Sequence, residues 1–343
     1  QAMHYRKIGL SDLDVSEIGF GCGGNAGLMV RGTFDEQRAI VERALELGIN
    51  YFDNAPDYGD GVAEENLGAV LKALGARPLI NSKVEVRVTD LDDIAGHVVR
   101  STEASLRRLG IECLDILQIH NGPRAGPTKL EGAGYKTLGI DDFLRPNGAL
   151  DGLQRILRDG KARHIGFICR GNDAAEVTTL LDTGLFSMIN VSYTLLNPTA
   201  GMRCPPGLQV ERDGGDVIGA AAQRGCGAAI FSALAGGFLT DESVAGVQRH
   251  PLARGVDLNS AATFDARHKA AQLRFLAQES GLTLAQAAYR FVLSNPGVTT
   301  VLGGFSTGDQ LEELCRVSGA APWDAATFSR LDAAWRSNFN SAA

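Results

Sequence analysis

The sequence predicts a single (β/α)8 barrel, and three observations carry that reading. Short apolar runs suited to buried strands alternate with amphipathic helical stretches, the order that implies a parallel sheet. The alternation repeats eight times along the chain. The length of 343 residues fits one closed barrel better than two doubly wound domains. The expected domain spans 3–340; Gln1 and Ala2 precede Met3 and read as an expression remnant.

The elements follow in order. "HYRKIGLSDLDVSEIG" (4–19) reads as a short hairpin leading into the first barrel strand, "EIGF" (17–20). Thr33 with Glu36 forms a capping-box pattern, and Ile40, Val41, Ala44 and Leu45 share one face of the helix that follows. Gly48 marks its end. "INYF" (49–52) is the second strand, followed by a helix near 62–74. "PLINS" (78–82) is the third, with a helix from about Thr89 to Gly110. "LDILQI" (114–119) is the fourth. Residues 121–148 lack periodicity and are too long for an idle connection, so a functional loop is expected. A helix near 149–160, the strand "HIGFI" (164–168), a helix near 173–183 and the strand "SMINV" (187–191) come next. A helix near 215–224 leads to "GAAIF" (227–231). After a second long insertion (232–258) come helices near 260–280 and 283–294, the strand "TTVL" (299–302), a helix from about 308, and a last helix holding Trp335.

Composition narrows the function classes. A net charge of −7 without a basic block gives no footprint for nucleic acid or an anionic membrane. No apolar run reaches the roughly 18 residues of a membrane helix, and "QAMHYRK" lacks the apolar segment of a secretion signal. The six cysteines are scattered, with no C-x-x-C pair, which argues against a zinc ribbon and fits reduced thiols in a cytoplasmic protein. "GFGCGG" (19–24) matches G-x-G-x-x-G, but "NAGLMVRGTF" intervenes before the next cap. The dinucleotide fingerprint needs a helix opening directly on its last glycine, so a Rossmann fold is not expected. The glycines, Gly21 among them, still lie where bare backbone lets a flat cofactor ring approach.

In such a barrel the active site lies at the C-terminal strand ends. Strand two ends in Asp53, with Tyr58 five residues on; strand three ends in Lys83, and strand four in His120. Each has a bland alternative: a turn or cap for Asp53, packing for Tyr58, a satisfied structural role for His120. Lys83 is harder to dismiss, because a lysine ending a buried strand needs a carboxylate, and Asp53 is the obvious one. The four together suit carbonyl chemistry. Lys83, held by Asp53, is expected to lower the pKa of Tyr58, making it a general acid. His120 can orient a carbonyl oxygen. No side chain here supplies a hydride, so a nicotinamide cofactor must. Asp57 and Asp60 are left as turn or cap residues.

"FDNAPDYG", "SKV" and "IH" resemble the tetrad pattern of the aldo-keto reductase superfamily, in order and spacing, and "RKIGLSDLDVSEIGFG" resembles its N-terminal stretch. The resemblance implies the (β/α)8 barrel with an extended cofactor. It implies Asn190 as the carboxamide ligand, Phe231 as the aromatic stacking on nicotinamide, and Ser232, Leu234 and Gly236 in the pyrophosphate loop. It also implies Gly304, Ser306, Gln310 and Glu313 as adenosine-end contacts. The chain departs from the pattern at Ile168, where a Ser or Thr is usual, at Leu314 in place of Asn, and at Gln310 in place of an Arg for the 2′-phosphate. NADP(H) is expected from the family, with Arg254 as a source of charge, whereas Asp309, Glu312 and Glu313 lean locally to NAD(H). The expected substrate pocket is Leu28, Met29, Asn121, Tyr135 and Phe143, with Trp335 a further candidate; no fixed cation marks a carboxylate substrate. Asn121, in place of an aromatic, is compatible with sugar-type substrates. The expected activity is interconversion of an aldehyde or ketone with the alcohol, including NAD-dependent aldose oxidation. The alternatives are a cofactor-binding regulator, as in the potassium-channel beta subunits of the superfamily, and a metal-dependent barrel hydrolase, which lacks further ligands.

Overall fold

The structure is a computed structural model, described over residues 2–132, 134–247 and 259–341. A two-stranded antiparallel hairpin, β1 (Tyr5–Lys7) and β2 (Asp14–Ser16), opens the chain with Arg6 opposite Val15. Eight parallel strands then close on themselves. They are β3 (Ile18–Gly21), β4 (Tyr51–Asp53), β5 (Leu79–Val84), β6 (Leu114–Ile119), β9 (Ala162–Cys169), β10 (Met188–Ser192), β11 (Gly227–Phe231) and β12 (Thr300–Gly303). A separate parallel pair, β7 (Gly122–Arg124) and β8 (Thr137–Gly139), lies between β6 and β9. This is the (β/α)8 architecture expected from the sequence.

Strand alternation divides the core in two. Tyr51, Ile116, Met188, Ala229 and Leu302 point into the barrel, where Ile8, Leu13 and Val15 of the hairpin meet them and plug its N-terminal end. Gly9 makes the plug possible: at φ +47 it lies so close to Gly225 that a Cβ would sit 2.1 Å from the carbonyl oxygen. The alternate residues, among them Phe20, Phe52, Ile80, Leu117, Phe167, Ile189 and Val301, point outward and pack under the helices. The C-terminal end is therefore the open one.

The helices follow their local signals. Thr33 and Glu36 complete both halves of the capping box on Phe34–Glu46, which buries Val41 and Ala44. Gly110 caps Ile94–Leu109 in the left-handed conformation. Three expectations need correction. The stretch 121–148 is not featureless: it holds β7, β8 and a helical turn, Ile140–Leu144, all too short to show a period. The single helix expected near 260–280 is two, Ala261–Ala271 and Arg274–Ser280, whose break turns Leu273 and Leu276 into the core. The stretch after β3 contains a four-residue helix, Leu28–Arg31.

Candidate active site

The strand register sets one polar layer at the open end. Gly21 pairs with Asp53, Asp53 with Asn81, Lys83 with Gln118, and Ile168 with Asn190. Lys83 and Asp53 are almost wholly enclosed, with 2% and 5% of their side chains exposed. The ammonium donates to Asp53 Oδ1 at 2.6 Å, to the Asn54 carbonyl at 2.6 Å and to Tyr58 Oη at 3.3 Å. All three of its protons are thus used, which is what a buried ammonium requires. Asp53 Oδ2 accepts from Asn190 Nδ2 at 2.8 Å. Behind them runs an amide chain that sequence reasoning missed. Asn81 Nδ2 donates to Gln118 Oε1 at 2.7 Å, and Gln118 Nε2 to Asn190 Oδ1 at 3.0 Å. This chain fixes the Asn190 amide and through it the Asp53 carboxylate. The signal available was an amide side chain inside each of three otherwise largely apolar strands, Asn81, Gln118 and Asn190.

Tyr58 and His120 stand over the pair. Their rings meet edge to face, with centroids 6.1 Å apart, and Lys83 Nζ lies 5.0 Å from the tyrosine ring centre. Burial raises the pKa of Tyr58, and the Lys83 ammonium offsets that only in part. The expected lowering is therefore overturned. The phenol is firmly protonated, as a proton donor must be. Burial opposes the charge on Lys83, yet Asp53 more than compensates and its pKa is raised. His120 is pulled down to about 3, first by burial and then by Lys83, with Asp57 opposing, so the imidazole is neutral.

Asp57 is no mere turn residue. Its Oδ2 faces His120 Nδ1 at 3.7 Å, and among the described residues neither buried atom has a hydrogen-bond partner. Its Oδ1 accepts from Arg87 Nη2 at 2.6 Å. Burial and the neighbouring Asp57 push Glu85 up to about 7, so Glu85 carries the proton the two carboxyls share; Asp57, though burial opposes it, is held below its ordinary value. An ionised Asp57 favours a proton on Nδ1 of His120. Its position beside Tyr58 in sequence hid this, since the contact spans two loops.

The four polar residues sit at the head of a cleft of about 950 Å³. Its walls include every residue expected at the cofactor: Gly21, Asn190, Phe231, Ser232, Leu234, Gly236, Gly304, Ser306, Gln310 and Glu313. The volume lies at the upper end of the roughly 300–1,000 Å³ of ligand sites. Ser232, Ala235, Gly236 and Gly237 all take positive φ, two of them non-glycine. Such strain is kept where the surroundings impose it, and successive turned amides make a concavity suited to phosphate. At the far end the fit is poorer for extra negative charge. Glu242, Asp309 and Glu313 line it, and no lysine or arginine joins them among the described residues. Arg254 lies outside the described residues. Gln310 Oε1 accepts from the Ser306 amide, and Glu313 Oε1 from Thr283 Oγ1, so both have internal partners.

The substrate-pocket expectations fare differently. Of the five residues only Tyr135 lines the cleft. Leu28, Met29 and Phe143 are buried in the core, Phe143 against Phe167. Asn121 is 1% exposed and holds both Val86 backbone groups, at 2.8 and 3.1 Å. Trp335 is buried and donates to the Leu195 carbonyl. One strand residue explains Asn121: it follows His120, so its side chain takes the opposite direction. Arg170, which the sequence reading passed over, does line the cleft. Among the described residues no group of three His, Cys, Asp or Glu side chains is placed to hold a metal ion, and no helix is long and apolar enough to cross a membrane.

Comparison with known proteins gives a consistent result. The chain is 26% identical to a probable voltage-gated potassium channel subunit beta of Arabidopsis thaliana, over 93% of this chain and 92% of that protein. It is 27% identical to L-glyceraldehyde 3-phosphate reductase of Escherichia coli, over 91% of this chain and 86% of that one. A solved aldo-keto reductase from Bacillus halodurans, in its holo form, superposes with a TM-score of 0.69 at 22% identity, covering 96% of each chain, which speaks for the fold. The model of the Aldo/keto reductase family matches residues 17–336. With that match over nearly the whole barrel, the chain belongs to the aldo/keto reductase family of carbonyl–alcohol oxidoreductases.

Proposed function

We propose that this protein reduces an aldehyde or ketone, sugar-type substrates included, to the alcohol at the expense of NAD(P)H, with Tyr58 as the proton donor. The observation that carries the reading is the Asp53–Lys83–Tyr58 chain of contacts ending at the mouth of the cleft beside His120. When bound, the nicotinamide supplies a hydride to the carbonyl carbon. The Tyr58 phenol gives its proton to the carbonyl oxygen, and the Lys83 ammonium beside it stabilises the phenolate left behind. His120 holds the same oxygen or, with its Nδ1 protonated towards Asp57, accepts from an alcohol; that second arrangement suits the oxidative direction.

Phe231 would stack on the nicotinamide, Asn190 would take its carboxamide, and Ser232, Leu234 and Gly236 would wrap the pyrophosphate. Gly21 gives the ring close approach, and Gly304, Ser306, Gln310 and Glu313 bound the adenosine. Ile168, in the cleft wall, offers the carboxamide no hydrogen bond. For the coenzyme, NADP(H) is put first on the family resemblance and on Arg254. The acidic lining at the adenosine end favours NAD(H). Side-by-side titration with NADPH and NADH, followed by fluorescence quenching, decides: tight binding of neither would sink the proposal. The similarity to a potassium channel beta subunit favours one rival, a cofactor-binding regulator. That rival predicts tight nicotinamide binding with no turnover across a broad carbonyl panel.

A further inference from the structure

A side pocket that adjoins the mouth of the cleft carries two positive charges that the reaction above does not use. Arg170 follows the last residue of β9, and its guanidinium carbon lies 4.8 Å from the centre of the Tyr135 ring. Arg212, from the loop after β10, lies 5.9 Å from the same ring. The tyrosine is 44% exposed on the long loop between β7 and β8, yet its seat is specific. Gly171 takes φ +68, and a Cβ there would lie 2.6 Å from the Tyr135 Cβ, so only glycine lets the loop settle against β9.

Arg87, at this same end, is paired with Asp57. Arg170 and Arg212 differ. Among the described residues neither guanidinium has an ion pair or a hydrogen bond as donor; their contacts are with the Tyr135 ring. They line a side pocket of about 230 Å³, with Ser192 and Asn197, that shares Tyr135, Arg170 and Phe231 with the main cleft. Glu211 and Asp213 also border it; Asp213 Oδ1 accepts from the Gly215 amide, and neither carboxylate pairs with the two arginines. Two unpaired cations facing one small pocket repel each other until an anion lies between them. Guanidinium forks suit phosphate and carboxylate oxygens. The charge of Arg170 also reaches His120, where it disfavours protonation. The pocket is thus within electrostatic reach of the reacting end.

We propose that Arg170 and Arg212, set about Tyr135, form an anion subsite that takes the terminal phosphate or carboxylate of the substrate. The substrate class is then an aldehyde or ketone with an anionic far end, its carbonyl at Tyr58 and His120. This rests on the carbonyl-reduction reading, and the test separates the two.

The test compares kcat/KM for matched pairs: glyceraldehyde 3-phosphate against glyceraldehyde, and succinic semialdehyde against butanal. The wild type is expected to favour the charged member of at least one pair by about tenfold or more, and which pair shows it distinguishes phosphate from carboxylate. In R170Q/R212Q that ratio is expected to fall by about 10- to 100-fold, the loss of one or two charge-assisted hydrogen bonds. A wild type indifferent to charge, or a ratio unchanged in the variant, overturns the subsite. If nothing in the panel is turned over, the carbonyl-reduction reading fails on its own. Calorimetric titration of inorganic phosphate and of succinate then still reads the subsite. Binding by the wild type and not by the variant supports it; equal heats, or none, reject it. Both arginines are exposed, and a thermal melt confirms that the variant is folded.

Discussion

Replacing Asp53 with Asn keeps the shape of the side chain and removes its charge. Lys83 then keeps its donors to the Asn54 carbonyl and Tyr58 but loses the carboxylate at 2.6 Å. At an effective dielectric of about 20 the gross attraction at that distance is about 6 kcal/mol, of which desolvation of the two ions takes back several. Breaking such a pair on one side typically costs about 3–5 kcal/mol, because the other charge stays buried alone. Lys83→Met leaves Asp53 with Asn190 as its side-chain partner, and the same range applies. The double variant, Asp53→Asn with Lys83→Met, buries no charge and should cost far less than the sum, giving a coupling of about 3 kcal/mol or more. The Asn variant alone has a further signature. Without Asp53, burial lowers the folded-state pKa of Lys83, so the unfolded state binds more protons and stability rises as pH climbs towards 10. Urea midpoints and slopes for the four proteins give the cycle. Single costs that add within about 0.5 kcal/mol, the value for independent sites, would refute the reasoning.

Other expectations concern the neighbourhood of His120 and the loop above it. Burial and the neighbouring Asp57 push the folded pKa of Glu85 up to about 7, from an ordinary value of 4.5. The folded state therefore binds the extra proton between those values, and stability falls as pH rises through that window. The full shift corresponds to about 3 kcal/mol, which partial exposure discounts to about 1–2 kcal/mol. Glu85→Gln should remove that slope, and a wild-type-minus-variant difference that is the same at pH 5 and pH 8 would contradict it. The His120 imidazole should stay neutral down to about pH 4; nitrogen-15 NMR showing imidazolium at pH 6 would overturn the burial argument. Gly171→Ala puts a Cβ at φ +68 against Tyr135. It should cost about 1–2 kcal/mol in the unfolding midpoint, and a neutral substitution would mean that the loop is not seated there.

The eight strands were legible because each is a short apolar run between helix signals, and the barrel rule then gathered Asp53 with Tyr58, Lys83 and His120 from three neighbouring strand ends. The substrate side was misread where closeness in sequence stood in for direction. Asn121 neighbours His120 but points away from the mouth, and Leu28 and Met29 belong to a helical turn too short to show which way it faces. Counting by twos carries the correction: His120 continues Ile116 and Gln118, and Arg170 continues Gly166 and Ile168, so both reach the open end. The Asp57–His120 contact and the Arg170–Tyr135–Arg212 cluster link loops far apart in sequence, and no spacing rule announces them. The pKa of Tyr58 went the other way because spacing reveals the nearby ammonium but not the depth of burial.

The central claim is that Tyr58 delivers the proton while the rest of the cleft holds the nicotinamide. Tyr58→Phe removes one oxygen and leaves the ring. Steady-state kcat with a turned-over carbonyl, alongside NAD(P)H affinity by fluorescence quenching, tests this directly. The account predicts a fall in kcat of about 10²–10⁴ with the dissociation constant changed by no more than about threefold; a variant that turns over at near the wild-type rate contradicts it.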